Sequence, residues 1–150
     1  MPSLIKNNKV NNYQSHKPVL LKEVLESLSP KDGEVFIDGT FGAGGYTTAI
    51  LQAVNCKVIA FDRDANVKRF TQSLSEKFGD RFQFIHSPLS QMENEVNHKV
   101  DGIVLDLGVS SMQLDEEERG FSFSSNAKLD MRMDSSSGIS AFDVVNSFEE

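Results

Sequence analysis

One cysteine in 150 residues, Cys56, excludes an internal disulfide, and no pair of Cys and His residues has the spacing of a structural zinc site. Beside a β-rich run, Cys56 reads as a small buried apolar residue, and the setting as reducing and cytoplasmic. No apolar run approaches the length that crosses a membrane, and the N-terminus lacks the apolar core of a signal peptide. Met1 to Gln14 is rich in Asn and Lys without Arg, which argues against an organellar leader and predicts a disordered tail over 1–15. Internal repeats are absent, which excludes a solenoid. Positive charge is in short supply: 15 Lys and Arg against 22 Asp and Glu give a net charge of −7. A protein that grips nucleic-acid phosphates needs a basic face, so any such surface is local or lies in sequence not present here.

The hydrophobic content of 39% suffices for a core, and the length suits one domain. Val19, Leu20, Val24, Leu25 and Leu28 recur at helical spacing, which predicts a helix over 18–28 with Pro18 in its first turn. Glu34 to Asp38 reads as a buried strand, Gly39 to Gly45 as a glycine-rich loop, and Tyr46 to Val54 as a helix. Lys57 to Asp62 is a second strand. Asp64 then caps a helix whose apolar face is Val67, Phe70, Leu74 and Phe78. Phe82 to His86 is a third strand, Gln91 to His98 a helix, and Val100 to Leu107 the fourth and most hydrophobic strand. Strands alternating with helices at this spacing predict a parallel α/β sheet with right-handed crossovers. Asp38, Asp62 and Asp106 all fall at strand C-terminal ends, the edge where open α/β sheets bind ligands. Gly108 to Gly138 shows no periodic element, and a helical pattern resumes over 139–148.

Three constellations carry chemistry. Asp38 to Tyr46 is a strand–glycine loop–helix unit in which the backbone can approach a ligand closely and the first helical turn offers amides. It is not a phosphate-binding P-loop, because no Gly-Lys-Ser/Thr follows. Thr47 stands where a dinucleotide fingerprint needs its third small residue, and a bland glycine turn remains open. Asp62 can accept both hydroxyls of a ribose, or it belongs to a solvated Asp-Arg-Asp turn. Asp106 leads a short motif into the following loop. It can serve the reacting nitrogen of an amino-group methyltransferase or cap the loop. Asp115 to Glu118 reads as a solvated acidic turn rather than a metal site, with Arg119 and Arg132 pairing with those acids. Phe121 and Phe123 either anchor the loop or stack on a splayed base, with anchoring the preferred reading. His86 reads as a packed neutral histidine.

The chain resembles the bacterial small-subunit rRNA (cytosine-N(4))-methyltransferase family, of the RsmH or MraW type. The resemblance rests on His16 to Leu21, Asp38 to Gly45, Phe61 to Asp64, Asp101 to Ser111, Gln113 to Asp115, Glu118 to Phe123 and Leu129 to Asp134. It runs from about His16 to Gly138, and the block from DLGVSS to DMRMD is the most specific part. It implies an α/β, Rossmann-like class I methyltransferase fold using S-adenosyl-L-methionine to methylate the exocyclic N(4) of a cytosine in small-subunit (16S) ribosomal RNA, naked or in the assembled subunit. By resemblance Gly44, Gly45 and Tyr46 contact the cofactor through the glycine loop, Asp62 holds its ribose, Leu89 lies against adenine, and Asp106 and Gln113 complete the pocket. Asp106 is also the candidate catalytic residue. Tyr46 departs from the family's usual His, and Leu89 from its usual aromatic. The resemblance further implies a cofactor-binding domain over 16–112. After it, 113–150 is a loop and the start of a helical insertion at which a longer protein has been cut. Two other readings stay open: a nicotinamide-dependent oxidoreductase, and a fragment that binds cofactor without catalysis.

Overall fold

The structure, a computed structural model, describes residues 18–149; the expected tail over 1–15 lies outside them. Four parallel strands form one sheet: β1 (Val35–Asp38), β2 (Lys57–Asp62), β3 (Phe82–His86) and β4 (Gly102–Val104), in the order β3-β2-β1-β4. Helices α1 (Leu21–Leu28), α2 (Gly45–Ala53), α3 (Lys68–Phe78) and α4 (Met92–Glu95) alternate with them, followed by α5 (Ser111–Asp115) and α6 (Ala141–Ser147). The expected βα alternation is present.

Strand side chains alternate between two faces, and both faces are covered. Phe36, Val58, Ala60 and Phe82 enter the larger core with Ile50 and Leu51 of α2 and Phe70 and Phe78 of α3. Ile37, Ile59 and Phe61 form the smaller core against Ile85, Met92 and Val96. Cys56 is buried in the larger core, as expected. The predicted α3 face holds as well: Val67, Phe70 and Phe78 are buried and Leu74 packs against them.

Three expected boundaries differ. The first helix begins at Leu21 rather than Pro18, because Leu20 is left-handed at φ 51°. Pro18 and Val19 therefore form a strap ahead of the helix. The fourth strand pairs only over 102–104, since its single described neighbour β1 is short and the ladder ends at Asp38 opposite Val104. Leu105 and Leu107 consequently stand exposed. The helix expected over 91–98 ends at Glu95, where Val96 turns to extended backbone.

The chain crosses from β1 outward through β2 to β3, then returns to place β4 on the other side of β1. This makes a switch point at the C-terminal ends of β1 and β4, where adjacent loops diverge and leave a crevice. The glycine loop fills the β1 side. Gly44 sits at φ 79°, and a Cβ there would lie 2.9 Å from the Phe41 ring, so both conformation and space require glycine.

Beneath the loop, Asp38 is wholly buried. Its Oδ2 accepts the Thr47 hydroxyl at 2.7 Å and the Thr47 amide at 3.2 Å, and its Oδ1 accepts the Thr40 amide at 3.2 Å. Burial pushes its pKa up to about 6, opposed by these hydrogen bonds and aided by the Asp62 charge. The protonated carboxyl is thus favoured in the folded state. Its contribution to stability is complete below the ordinary 3.8 and is lost as pH rises through about 6. A carbon-detected NMR titration is expected to place the Asp38 midpoint near 6; a midpoint at or below 4 would contradict this account of the loop.

Candidate functional site

A cavity of about 560 Å³ opens at the switch point, lined by the glycine loop, the end of β2, and the segments 18–19 and 106–113. Its floor begins with the loop amides. Gly39 donates to the Val104 carbonyl, Phe41 to Phe61 and Gly44 to Phe41, while Thr40 and Thr47 donate to Asp38. Gly42 donates to Asp62 Oδ2 at 2.8 Å. Among the described residues, Ala43, Gly45 and Tyr46 are left as the loop amides without an acceptor. A dinucleotide loop keeps its amides for pyrophosphate; this one has spent most of them inside the protein.

Asp62 is half-buried at the end of β2. Its other oxygen, Oδ1, accepts the Asp64 amide at 2.9 Å. One backbone donor on each oxygen fixes the plane of the carboxylate and leaves a lone pair on each for a ligand. Burial raises its pKa, with the Asp64 and Gly42 amides opposing. The ligand-side wall is apolar: Leu89, Val67, Met112 and Met133 line it. Asp106 lies on the far side of the motif after β4, exposed, with its amide held by Thr40 Oγ1 at 2.8 Å. Among the described residues, the only cationic side chain lining the cavity is Arg63.

Of the expected site residues, the cavity brings together Gly45, Asp62, Leu89, Asp106 and Gln113. Gly44 and Tyr46 stand behind its wall: Gly44 faces Phe41, and the Tyr46 ring is in the core. Gln113 is buried in α5, its Oε1 accepting the Ser110 amide in a capping box and its Nε2 donating to Asp64 Oδ2 at 3.1 Å. One Nε2 hydrogen remains for a ligand.

Asp64 caps the turn before α3 through the Asn66 amide, as read from the sequence. Its second role was not legible. Asp64 Oδ2 also accepts Arg119 Nη2 at 3.0 Å, both side chains buried. The same Arg119 nitrogen donates to the carbonyls of Arg132 and Met133 at 3.1 and 2.9 Å, and Nη1 meets Glu116 at 3.3 Å. This one guanidinium staples the segment around 130–134 to the domain and carries Met133 to the cavity wall. The expected pairing of Arg119 with the acidic turn holds for Glu116. Arg132 instead pairs with Asp130, at 2.7 Å, and its guanidinium holds Asp130 down to about 2. His86 is exposed rather than packed, with Nε2 3.1 Å from the Arg63 carbonyl. Phe121 is half-buried and lies under Arg119, as an anchor should, but Phe123 is fully exposed and anchors nothing among the described residues.

A family model described as the MraW methylase family matches residues 13–150. The ribosomal RNA small subunit methyltransferase H of Rickettsia massiliae (strain Mtu5) is 54% identical over 138 residues, 91% of this chain and 45% of that protein. That of Ehrlichia canis (strain Jake) is 51% identical over 139 residues, 90% of this chain and 47% of that protein. The chain thus spans about half the length of the curated relatives it matches. Among solved structures, an rRNA methylase from Streptococcus thermophilus aligns with a TM-score of 0.51 at 17% identity, covering 76% of this chain and 67% of that one. That likeness shows the fold, the Rossmann-like class I arrangement expected from the sequence.

The Arg119 staple yields a direct test. Removing one partner of a buried ion pair strands the other, at a cost of about 3 kcal/mol. Arg119→Met is expected to lose that much in urea unfolding and to speed hydrogen exchange over 130–134, with Asp64→Asn added to it recovering part of the loss. Wild-type stability in the single variant would show that the pair does not hold this segment.

Proposed function

The chain belongs to the MraW methylase family, and on that premise we propose that it is the S-adenosylmethionine-binding part of an enzyme that methylates the exocyclic N(4) of a cytosine in small-subunit ribosomal RNA, naked or within the assembled subunit. The observation that carries the cofactor assignment is the loop itself. Its Thr40 and Gly42 amides are committed to Asp38 and Asp62 and its Gly39, Phe41 and Gly44 amides to backbone carbonyls, and the cavity beside it holds the carboxylates of Asp62 and Asp106 with one arginine among its described lining residues. That environment suits a cationic nucleoside and opposes a pyrophosphate. It therefore speaks against the nicotinamide reading, as does Thr47, whose hydroxyl is needed by Asp38.

The residues present fit the cofactor. Asp62 is oriented to accept ribose hydroxyls, Leu89 and Val67 offer apolar surface to a base, and the free amides of Gly45 and Tyr46 at the start of α2 suit a carboxylate. Gly44 serves the bend of the loop, and Gln113 braces Asp64 while facing the cavity. Leu89 supplies area without the stacking an aromatic would add.

When bound, S-adenosylmethionine supplies an electrophilic methyl group. The protein's task is to align the acceptor nitrogen and improve it, because the lone pair of an exocyclic cytosine amine is delocalised into the ring. Asp106, exposed at the mouth and held through its amide by Thr40, is placed to accept an N–H of that amine, localising the lone pair and offsetting the positive charge that develops. The cytoplasm, where ribosomal RNA is modified, is the matching setting.

Titration calorimetry separates these roles. S-adenosylmethionine is expected to bind and NAD not to bind. Asp62→Ala should weaken the methyl donor by more than about tenfold, the worth of hydrogen bonds to a charged acceptor, whereas Asp106→Asn should stay within a few-fold. Binding of NAD alone would overturn the cofactor assignment. An Asp106→Asn loss as deep as that of Asp62→Ala would make Asp106 a binding residue only.

A further inference from the structure

The structure gives the Tyr46 hydroxyl a use that no ring contact with a ligand would require. The ring is buried in the larger core, outside the cavity wall. The hydroxyl donates to the Val19 carbonyl at 2.5 Å and lies 3.5 Å from Asp106 Oδ2. Val19 and Asp106 both line the cavity, on segments far apart in sequence. We propose that Tyr46 is a positioning residue that latches the Pro18–Val19 strap to the Asp106 turn and so completes the cavity wall from behind.

Among the described residues the strap has little else to hold it. Val19 and Leu20 are 66% and 64% exposed, so their side chains contribute little burial, and Leu20 adopts a left-handed conformation that a residue with a Cβ visits only at a cost. Pro18 rests on Gly45 so closely that a Cβ there would fall 2.3 Å from Pro18 Cγ. That contact positions the strap, and the Tyr46–Val19 hydrogen bond ties it. On the other side, no donor among the described residues besides the Tyr46 hydroxyl reaches the Asp106 carboxylate. The phenol is held above its ordinary pKa first by burial, then by Asp106 and Asp38, so it keeps its one proton, which it gives to the Val19 carbonyl while Asp106 Oδ2 lies at 3.5 Å. The latch acts on a ligand only through the strap and Asp106; its effect on methyl-donor affinity rests on the function proposed above, whereas the latch itself does not.

Tyr46→Phe removes one hydroxyl and keeps the ring in the core. Hydrogen exchange of the whole chain is expected to speed up about tenfold at Val24, whose amide donates to the Leu20 carbonyl, and to be unchanged in β1 and β2; unchanged exchange at Val24 would overturn the latch. A second reading uses the phenol. In a Tyr13→Phe background, which leaves Tyr46 as the one tyrosine, Asp106→Asn is expected to move the phenol's absorbance titration to lower pH, and an unmoved midpoint would remove Asp106 from the latch. S-adenosylmethionine affinity in Tyr46→Phe is expected to fall about tenfold. Wild-type affinity alongside faster strap exchange would refute the claim that the latch shapes the site. If the unaltered chain fails to bind S-adenosylmethionine, the proposed function falls, while exchange and phenol titration still decide the latch.

Discussion

The arrangement depends on where the amides of one glycine loop go. Asp38 and Asp62, at the ends of neighbouring strands, take four backbone donors between them: Thr40 and Thr47 for Asp38, Gly42 and Asp64 for Asp62. Those bonds draw the loop down onto the sheet edge, set the start of α2 and lock the plane of the Asp62 carboxylate. Few loop amides are left for a phosphate, and a site walled by carboxylates favours a cation. The chemical character of the cavity therefore follows from the backbone hydrogen bonding of the turn rather than from any single side chain lining it.

The second constraint is the Arg119 staple. A guanidinium shared by Asp64, Glu116 and two carbonyls converts an irregular stretch into a wall. Such a buried charge is sustained by the two carboxylates and two carbonyls that meet it. Asp64 also takes Gln113, so the cap of α3, the α5 helix and the 130–134 segment meet at one carboxylate. Tyr46 does a comparable job on the other side with a single neutral hydroxyl.

The sheet was legible because Val35–Asp38 and Lys57–Asp62 are nearly continuous apolar runs, as strands buried on both faces are, and the strand-end acids mark the binding edge. Asp62 and Asp106 were found by motif and position and Leu89 by resemblance, and they line the cavity. What the sequence did not disclose are partnerships between distant residues. Nothing local in Glu118-Arg119-Gly120 says that Arg119 reaches Asp64, and Thr47, legible only as a departure from a dinucleotide pattern, is the hydroxyl that Asp38 requires. The strap was hidden for a different reason: Val19 and Leu20 continue the helical apolar spacing, but a left-handed Leu20 breaks the helix before they can use it. Phe123 carries the same lesson, since alternation with Phe121 suggests a shared role while the loop buries only one of them.

The central claim is that this loop and its two acids build a pocket for a cationic nucleoside rather than for a phosphate ester. The most direct measurement is a crystal structure of the chain with S-adenosylmethionine, which carries the sulfonium charge together with the nucleoside and amino-acid parts. The account predicts ribose hydroxyls on Asp62, with the Gly42 and Asp64 amides still bound to it, and a base beside Leu89. Ligand seated away from the switch point, or a ribose that makes no contact with Asp62, would contradict it.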